Sequence, residues 1–276
     1  MIGRRTRHGG WPYGQQPTAF VLNRASQQAK GLVGWWPTAG APGASVLRDC
    51  GNRKLNAPFL GGVSNPIWAT EPAMGGVLQY EGGDWINTPD FRIPFVTLTA
   101  WIKTTQAVSA YFHLLNRDNG STARVWQFRV YNSGGHKLQF ICWNSVGGLA
   151  TATGTTVVND GVLHHVAATY DGIAVKVYVD GFFDGSANLA GVAVSQIASI
   201  MVFGGAVGAA PGDKFVGLMG DVRVYDRALS DAEIWQLWAP QTRWGLYRPL
   251  LDSVVAKAPT VGTGSRTLAT TGAGAS

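Results

Sequence analysis

Two adjacent histidines, His164 and His165, are the residues of this chain that most resemble a catalytic or metal-binding pair. They lie in LHHVAATY (163–170), a run of β-forming residues. Side chains of neighbouring residues leave opposite faces of a strand, so the two rings cannot bind one metal ion together. We therefore expect a structural pair, with one ring packed inside and hydrogen-bonded and the other facing out.

Other reactive groups lack the setting that their chemistry requires. No Gly-x-Ser-x-Gly elbow presents a serine nucleophile. The glycine-rich GGAVGAA (204–210) has no lysine and no following helix, so it is interpreted as a loop and not as a phosphate cradle. Cys50 and Cys142 are either a disulfide or two buried thiols, and thiols are favoured. Cys142 lies in a strand pattern, where a low thiol pKa is not expected.

The segments that must position these residues are predicted to be short antiparallel strands. FVTLTAWIK (95–103), RVWQFRVY (124–131) and IAVKVYVDG (173–181) alternate between two faces. Asp171-Gly172 supplies the positive φ that a tight hairpin turn demands, and Asp180-Gly181 repeats this signal. Strands joined by such turns, without helices between them, predict a two-sheet antiparallel sandwich.

The composition divides the chain into three regions. Residues 1–30 form a basic arm, residues 31–239 a β domain, and residues 240–276 a C-terminal extension without a regular pattern. The capping box Ser230-Asp231-Ala232-Glu233 starts one short helix near the end of the β domain. The basic arm either binds an acidic partner or is a solvated tail. No apolar run has the length of a signal peptide core or a membrane span, so synthesis without export is expected.

Six segments of the chain occur in an order and spacing similar to a known family. They are GLVGWWPT (31–38), RDCGNRKLNAP (48–58), GGVLQYEGGDWINTP (75–89), VTLTAWIK (96–103), GVLHHVAATYDGIAVKVYVDG (161–181) and FVGLMGDVRVYDRALSDAEI (215–234). Together they resemble the laminin-G-like branch of the concanavalin A-like jelly rolls. The resemblance implies an all-β, antiparallel two-sheet jelly-roll sandwich with one short C-terminal helix and extended terminal arms.

The resemblance leaves the function open, because this fold serves adhesion, sugar binding, assembly and hydrolysis. Hydrolases of this fold place two or three acids on one strand face, as nucleophile and proton donor. Glutamate occurs only at positions 71, 81 and 233, and no strand carries two acids spaced by two. Asp231 and Glu233 have this spacing, but they lie in the helix cap. We therefore do not expect an enzyme.

Relatives in this family also imply a possible calcium site at the rim of the sheets, built from carboxylate and carbonyl oxygens. The matching positions are Glu81 or Asp84, together with Asp221. Alternatively, Asp221 anchors a turn or pairs with Arg223 or Arg227. No other cofactor is expected.

The eleven tryptophans offer rings on which sugars could stack. Trp35 and Trp36 are adjacent, so one should point in and the other out. Trp36, Trp101 and Trp143 are the candidate carbohydrate-binding residues. The alternative is ordinary packing beneath a covered sheet face.

Taken together, the sequence predicts a non-catalytic structural or assembly protein of a virion, as a phage capsid decoration or tail component. Its jelly roll would contact host glycans, and other protein subunits would be its main partners. The candidate assembly contacts are Arg4, Arg5, Arg7, Trp244 and Tyr247. The alternative is an extracellular carbohydrate-binding or adhesion module of a cellular protein. A glycan hydrolase is the third and least favoured function. Nucleic acid is not expected as a partner.

Overall fold

The computed structural model describes residues 19–39, 43–59, 65–108, 110–119, 121–132, 134–189, 191, 193–206 and 213–249. Arg4, Arg5 and Arg7 of the predicted arm therefore lie outside the described residues.

Eighteen strands and two short helices make up the described part of the chain. The strands are β1 Phe20–Leu22, β2 Leu32–Trp36, β3 Val46–Leu47, β4 Ala57–Pro58, β5 Ile67–Glu71, β6 Gly75–Glu81, β7 Ile86–Asn87, β8 Val96–Lys103, β9 Tyr111–Asp118, β10 Arg124–Asn132, β11 His136–Trp143, β12 Leu149–Val157, β13 Leu163–Tyr170, β14 Ala174–Val179, β15 Phe182–Asn188, β16 Val202–Phe203, β17 Val216–Tyr225 and β18 Tyr247–Pro249. The helices are a 3-10 turn at Gln27–Ala29 and α1 at Asp231–Trp238.

Two large antiparallel sheets pack face to face and form the sandwich. The six-stranded sheet has the order β12-β11-β10-β9-β16-β7. The eight-stranded sheet has the order β15-β14-β13-β8-β17-β6-β5, and β2 also pairs with β17. Two small pairs, β1-β18 and β3-β4, complete the topology. The predicted all-β jelly-roll sandwich is confirmed.

The inner core lies between the two sheets, and the alternation of β8 shows how the sequence creates it. Val96, Leu98, Ala100 and Ile102 point into this core and are fully buried. The facing sheet contributes its own alternating apolar positions, among them Phe128 of β10. Because side chains alternate along a strand, each strand then presents a second set of residues on the outer surface of its sheet.

A second apolar layer covers the outer surface of the eight-stranded sheet. This layer contains Trp101 of β8, Leu237 of α1 and Trp244 from the segment that follows α1. Strand β18 returns over this surface and pairs with β1, so that Phe20 lies opposite Pro249. The packed part of the chain thus extends beyond the predicted limits 31–239.

The predicted turn and helix signals are present in the structure. At the hairpin between β14 and β15, Asp180 and Gly181 both have positive φ, 50° and 82°, as a type I′ turn requires. At Asp171-Gly172 only the glycine has a positive φ, 93°. Helix α1 has the expected capping box. The Ser230 side chain accepts from the backbone N–H of Glu233, and the Glu233 carboxylate accepts from the backbone N–H of Ser230.

Candidate functional site

A buried apolar layer covers most of the outer surface of the eight-stranded sheet, and it contains three aromatic residues that the sequence predicted as site residues. Trp101 is 4% exposed and lies 5.2 Å from the His165 ring, centroid to centroid. Trp244 and Tyr247 are also buried in this layer, with ring centroids 5.3 Å apart. Trp101 therefore has no ring surface free for a sugar. Trp244 and Tyr247, predicted as assembly contacts, pack within their own domain because the segment after α1 folds back onto the sheet.

The predicted calcium ligands do not form a site that fits calcium. The Asp221 carboxylate accepts from Trp35 Nε1 at 2.7 Å and from Arg223 Nε at 3.0 Å, so its charge is neutralised in the buried layer. Asp84 is buried and accepts from the backbone nitrogen of Glu81 at 2.6 Å. In the described part of the chain, no group of three or more His, Cys, Asp or Glu side chains is arranged to hold a metal ion.

The two histidines are separated by the sheet, as the sequence indicates, but neither faces solvent. His164 contacts two carboxylates, Asp180 at 2.7 Å and Asp160 at 3.1 Å. The bond to Asp180 is the main cause that raises the pKa of His164. His165 lies in the covered layer, where burial, together with Arg223, lowers its pKa to about 3. The expectation that one ring faces out is wrong, because the outer surface of this sheet is itself covered.

The cysteines are two free thiols, which agrees with the favoured interpretation. Burial raises the pKa of Cys50 to about 11, and burial raises the pKa of Cys142 as well. Neither thiol is therefore activated as a nucleophile.

The outer surface of the six-stranded sheet differs, because side chains on β10, β11 and β12 remain accessible there. The outward positions that are half-buried or exposed are Gln127, Arg129, Tyr131, Lys137, Ile141, Trp143, Leu149, Thr151 and Thr153. We call this surface the open face. It combines rings, amides and cations, whereas the inward positions of the same strands are apolar.

Arg129 lies at the centre of the open face and is held in place from several sides. Its Nε and Nη2 donate to Gln139 Oε1 at 2.8 and 2.6 Å, and its Nη1 donates to Gln127 Oε1 at 2.8 Å. The guanidinium carbon lies 4.3 Å from the ring centroid of Tyr111 and 5.7 Å from that of Tyr131. These contacts fix the side chain before any ligand arrives.

The hydrogen-bond network continues along the strands on both sides of Arg129. Gln127 Nε2 donates to Asp118 Oδ2 at 2.6 Å, and Arg124 Nη1 donates to the same oxygen at 3.1 Å. In the other direction, Gln139 Nε2 donates to Thr153 Oγ1 at 3.0 Å. The polar side chains of four strands, β9 to β12, are thus ordered as one connected row.

Trp143 lies at one end of this row and borders a pocket. The Arg124 guanidinium carbon lies 5.3 Å from the Trp143 ring centroid. The pocket has a volume of about 330 Å³, and it is lined by Arg124, Trp143, Asn144, Ser145, Gly147, Ser195, Gln196 and Ile197. Trp143 lies four residue steps from Gln139 along β11, which is about 13 Å in an extended strand. The site is therefore longer than one sugar ring.

Of the three predicted carbohydrate-binding tryptophans, only Trp143 has an accessible ring. Trp36 is fully buried in the inner core and donates to Leu55 O at 2.9 Å, so it cannot stack on a ligand. The sequence interpretation did not include Arg129, Tyr111 or Tyr131 in the site. The alternation of RVWQFRVY already places Arg129 and Tyr131 opposite the core residues, and that pattern could have identified them.

A sandwich of two antiparallel sheets, with one outer surface covered and the other lined by rings and ordered polar groups, has the architecture of a lectin-like jelly roll. The chain belongs to the concanavalin A-like lectin/glucanases superfamily, whose family model matches residues 81–235. This confirms the family that the sequence motifs indicated.

Three proteins that match this chain in sequence or structure are distant from it. Adhesion G-protein coupled receptor V1 from Danio rerio is 27% identical over 149 residues, which is 51% of this chain and 2% of the receptor. Domain 4 of AbnA, an extracellular arabinanase from Geobacillus stearothermophilus solved with arabinotriose, superposes with a TM-score of 0.59 at 17% identity. That match covers 75% of this chain and 98% of the domain.

The binding domain of Paraclostridial Mosquitocidal Protein 1 superposes with a TM-score of 0.60 at 13% identity. It covers 77% of this chain, and this chain covers 52% of that domain. Identities this low show the shared fold alone. No helix in the described part of the chain is long and apolar enough to cross a membrane.

Proposed function

We propose that this protein is a non-catalytic glycan-binding module that holds its ligand on the open face. The observation that carries the proposal is the accessible Trp143 ring beside an ordered row of amide and guanidinium groups. A pyranose ring presents an apolar C–H surface and a rim of hydroxyl groups. An aromatic ring binds the C–H surface, and side chains that donate and accept hydrogen bonds bind the hydroxyl groups.

The placement of the glutamates supports binding without hydrolysis. Glu71 lies opposite Gly75 at one end of the β5-β6 hairpin, and Glu81 lies six residues further along β6, about 20 Å away. This separation is greater than the 5–10 Å or so that paired hydrolytic carboxylates require. Glu233 bonds to Arg227, which lowers its pKa to about 2, so it is unsuited to donating a proton.

The comparisons agree with this proposal at the level of the fold. Domain 4 of AbnA was solved with arabinotriose, and the mosquitocidal domain is described as a binding domain. We infer a related role for this chain, with an extracellular glycan or a host-cell glycan as the ligand.

Titration calorimetry of the full chain against a panel of soluble plant, bacterial and animal oligosaccharides tests the proposal. For a glycan that binds, Trp143→Ala should weaken the affinity by about tenfold or more, because it removes the stacking ring. Trp235→Ala is the matched control, since Trp235 is 42% exposed on α1, behind the eight-stranded sheet. Its affinity should equal that of the unaltered chain.

Product analysis after prolonged incubation tests the non-catalytic part separately. We expect the glycan to be recovered at its original length. Shortened products would overturn this part, and a complete panel without binding would overturn the glycan-binding role itself.

We propose as a second function that the chain is a subunit of a larger assembly, with a virus or phage particle as its location. The support is apolar surface at the start of β15, the last strand of the eight-stranded sheet. Phe182 is 61% exposed and Phe183 is 54% exposed, and Trp235 on α1 adds a third accessible ring. Exposed rings beside an edge strand are typical of a surface that another subunit covers.

The native mass of the full chain at micromolar concentration tests this second function. We expect a species heavier than the 29.3 kDa monomer, and we expect the double variant Phe182→Ser/Phe183→Ser to return to the monomer mass. A monomeric unaltered chain at all accessible concentrations would refute the self-assembly.

A further inference from the structure

Arg129 differs from three other well-packed arginines in the described part of the chain. Arg117 pairs with Asp90 at 2.6 Å, Arg227 pairs with Glu233 at 2.6 Å, and Arg223 pairs with Asp221. Arg129 instead bonds to the neutral amide oxygens of Gln127 and Gln139. The sheet therefore holds a positive charge on the open face without a carboxylate bonded to it.

The Arg129 guanidinium is partly desolvated. Burial lowers the pKa of Arg129, which means that part of its hydration has been removed. Two carboxylates, Asp213 and Asp118, attract the guanidinium, and neither has a hydrogen bond to it among the described residues. Asp118 is already bonded to Arg124 and Gln127. A bound anion would therefore replace hydration that the fold has withdrawn.

The Arg129 guanidinium also has N–H groups that do not donate to the two glutamines. Three of its N–H groups donate to the two glutamines, and an arginine carries five in a planar fork. In the described part of the chain the remaining two have no acceptor. Two donors in a fixed plane fit the paired oxygens of a carboxylate or a sulfate.

The neighbouring side chains reinforce the positive character of this region. Lys137 lies opposite Tyr131 on β11, so it is the diagonal neighbour of Arg129, with a Cβ separation of about 7–8 Å. His113 faces Arg129 from β9, but burial, together with Arg129, lowers its pKa to about 3. It is therefore neutral at physiological pH, so that Arg129 and Lys137 are the two cations of this part of the open face.

We propose that Arg129 is an anion-binding subsite of the open face, and that the protein's ligand is an acidic glycan bearing carboxylate or sulfate groups. This inference rests on the proposed glycan-binding function and names the class of glycan. Trp143 stacks on one sugar ring, and Arg129, about 13 Å away along the sheet, binds the anionic group of another. The two tyrosine rings keep the guanidinium fixed, so little side-chain freedom is lost on binding.

Titration calorimetry with matched pairs of oligosaccharides tests this inference. The pairs are oligogalacturonate with its carboxyl-reduced form, and a heparin oligosaccharide with its desulfated form. We expect at least one acidic member to bind about tenfold to a hundredfold more tightly than its neutral partner, as one charge-assisted pair provides. The member that binds identifies the anionic group as carboxylate or sulfate.

Substitutions of Arg129 test whether this residue causes the preference for the acidic oligosaccharide. Arg129→Gln should abolish the preference and leave the binding of the neutral partner in place. Arg129→Lys should retain only part of it, because the charge remains but the planar fork is lost. Arg248→Gln is the matched control, since it removes one exposed charge from β18 on the other side of the sandwich. Thermal melting establishes that each variant is folded.

The outcomes separate the two proposals. Equal binding of acidic and neutral partners, or an unchanged preference in Arg129→Gln, overturns the acidic-glycan inference and leaves glycan binding intact. Equal binding of polyglutamate also overturns it, because a net charge of +6 attracts any polyanion. If Arg129→Gln does not fold, Lys137→Gln decides, with a reduced preference expected. Failure of every glycan to bind refutes the proposed function itself.

Discussion

Replacing Asp221 by asparagine tests whether this residue serves the core or a metal ion. Asp221 and Arg223 are 2% and 1% exposed beneath the segment that follows α1. Asparagine keeps the oxygen that accepts from Trp35 and tolerates the positive φ of 45° at this position. The substitution removes the negative charge, and its amide nitrogen replaces the oxygen that accepts from Arg223.

The expected cost follows from leaving Arg223 charged and unpaired in a buried layer. Loss of one partner from a buried ion pair costs about 3–5 kcal/mol, and we expect about 3 kcal/mol because the amide oxygen still accepts a hydrogen bond. For a domain of this size, that loss lowers the melting temperature by roughly 6–12 °C. Urea unfolding of the full chain, followed by tryptophan fluorescence, measures the free energy directly.

A double-mutant cycle with Arg223→Met isolates the pair. We expect the two losses to be non-additive by about 2 kcal/mol, because each substitution removes the same interaction. A cost below about 1 kcal/mol for Asp221→Asn would refute the buried-pair argument. Addition of calcium or a chelator should leave the melting temperature unchanged, and stabilisation by calcium would restore the metal interpretation.

Two further predictions concern the rims of the sandwich. His164 has a raised pKa in the folded chain because of Asp180, so its stabilising contribution is complete below the unfolded value of 6.5 and is lost as pH rises through the raised value. In His164→Gln this pH-dependent loss of stability should be absent. The free energies of unfolding of the variant and the unaltered chain, measured from pH 5 to 9, should therefore converge as pH rises, and parallel profiles would contradict the argument. Gly154→Ala should cost about 2 kcal/mol or more, because its Cβ would lie 1.9 Å from the Asp184 oxygen that joins β12 to β15. Gly205→Ala is the control, with contacts no closer than 3.5 Å and a change within about 0.5 kcal/mol, and equal stability of the two variants would contradict the steric argument.

Local patterns in the sequence were sufficient to predict strands β8, β10, β13 and β14 and helix α1. The alternation in β8 divides its residues between the two surfaces of the sheet as the structure does, and the Ser230–Glu233 spacing locates α1. These features are decided by neighbours one to four residues apart, so a single sequence contains them.

The candidate site depends on contacts that alternation cannot reveal. Trp101 and Trp143 both lie on the outer surfaces of their sheets, yet the first is buried and the second is accessible. The difference arises from the segment after α1, which has no regular period and packs by long-range contacts. Trp35 and Trp36 are both buried for the same reason, since each surface of β2 has its own apolar layer.

The pairing of β1 with β18 determines how this module can be attached to anything else. Phe20 faces Pro249 across two hydrogen-bonded strands, behind the eight-stranded sheet. Polypeptide joined before or after the sandwich therefore departs from one place, at the back of the molecule. A stalk, neighbouring domain or particle fused there would leave the open face directed away from the point of attachment. A short linker between Phe20 and Pro249, with new termini in a distant hairpin, would likewise give a circular permutant that leaves the open face unchanged.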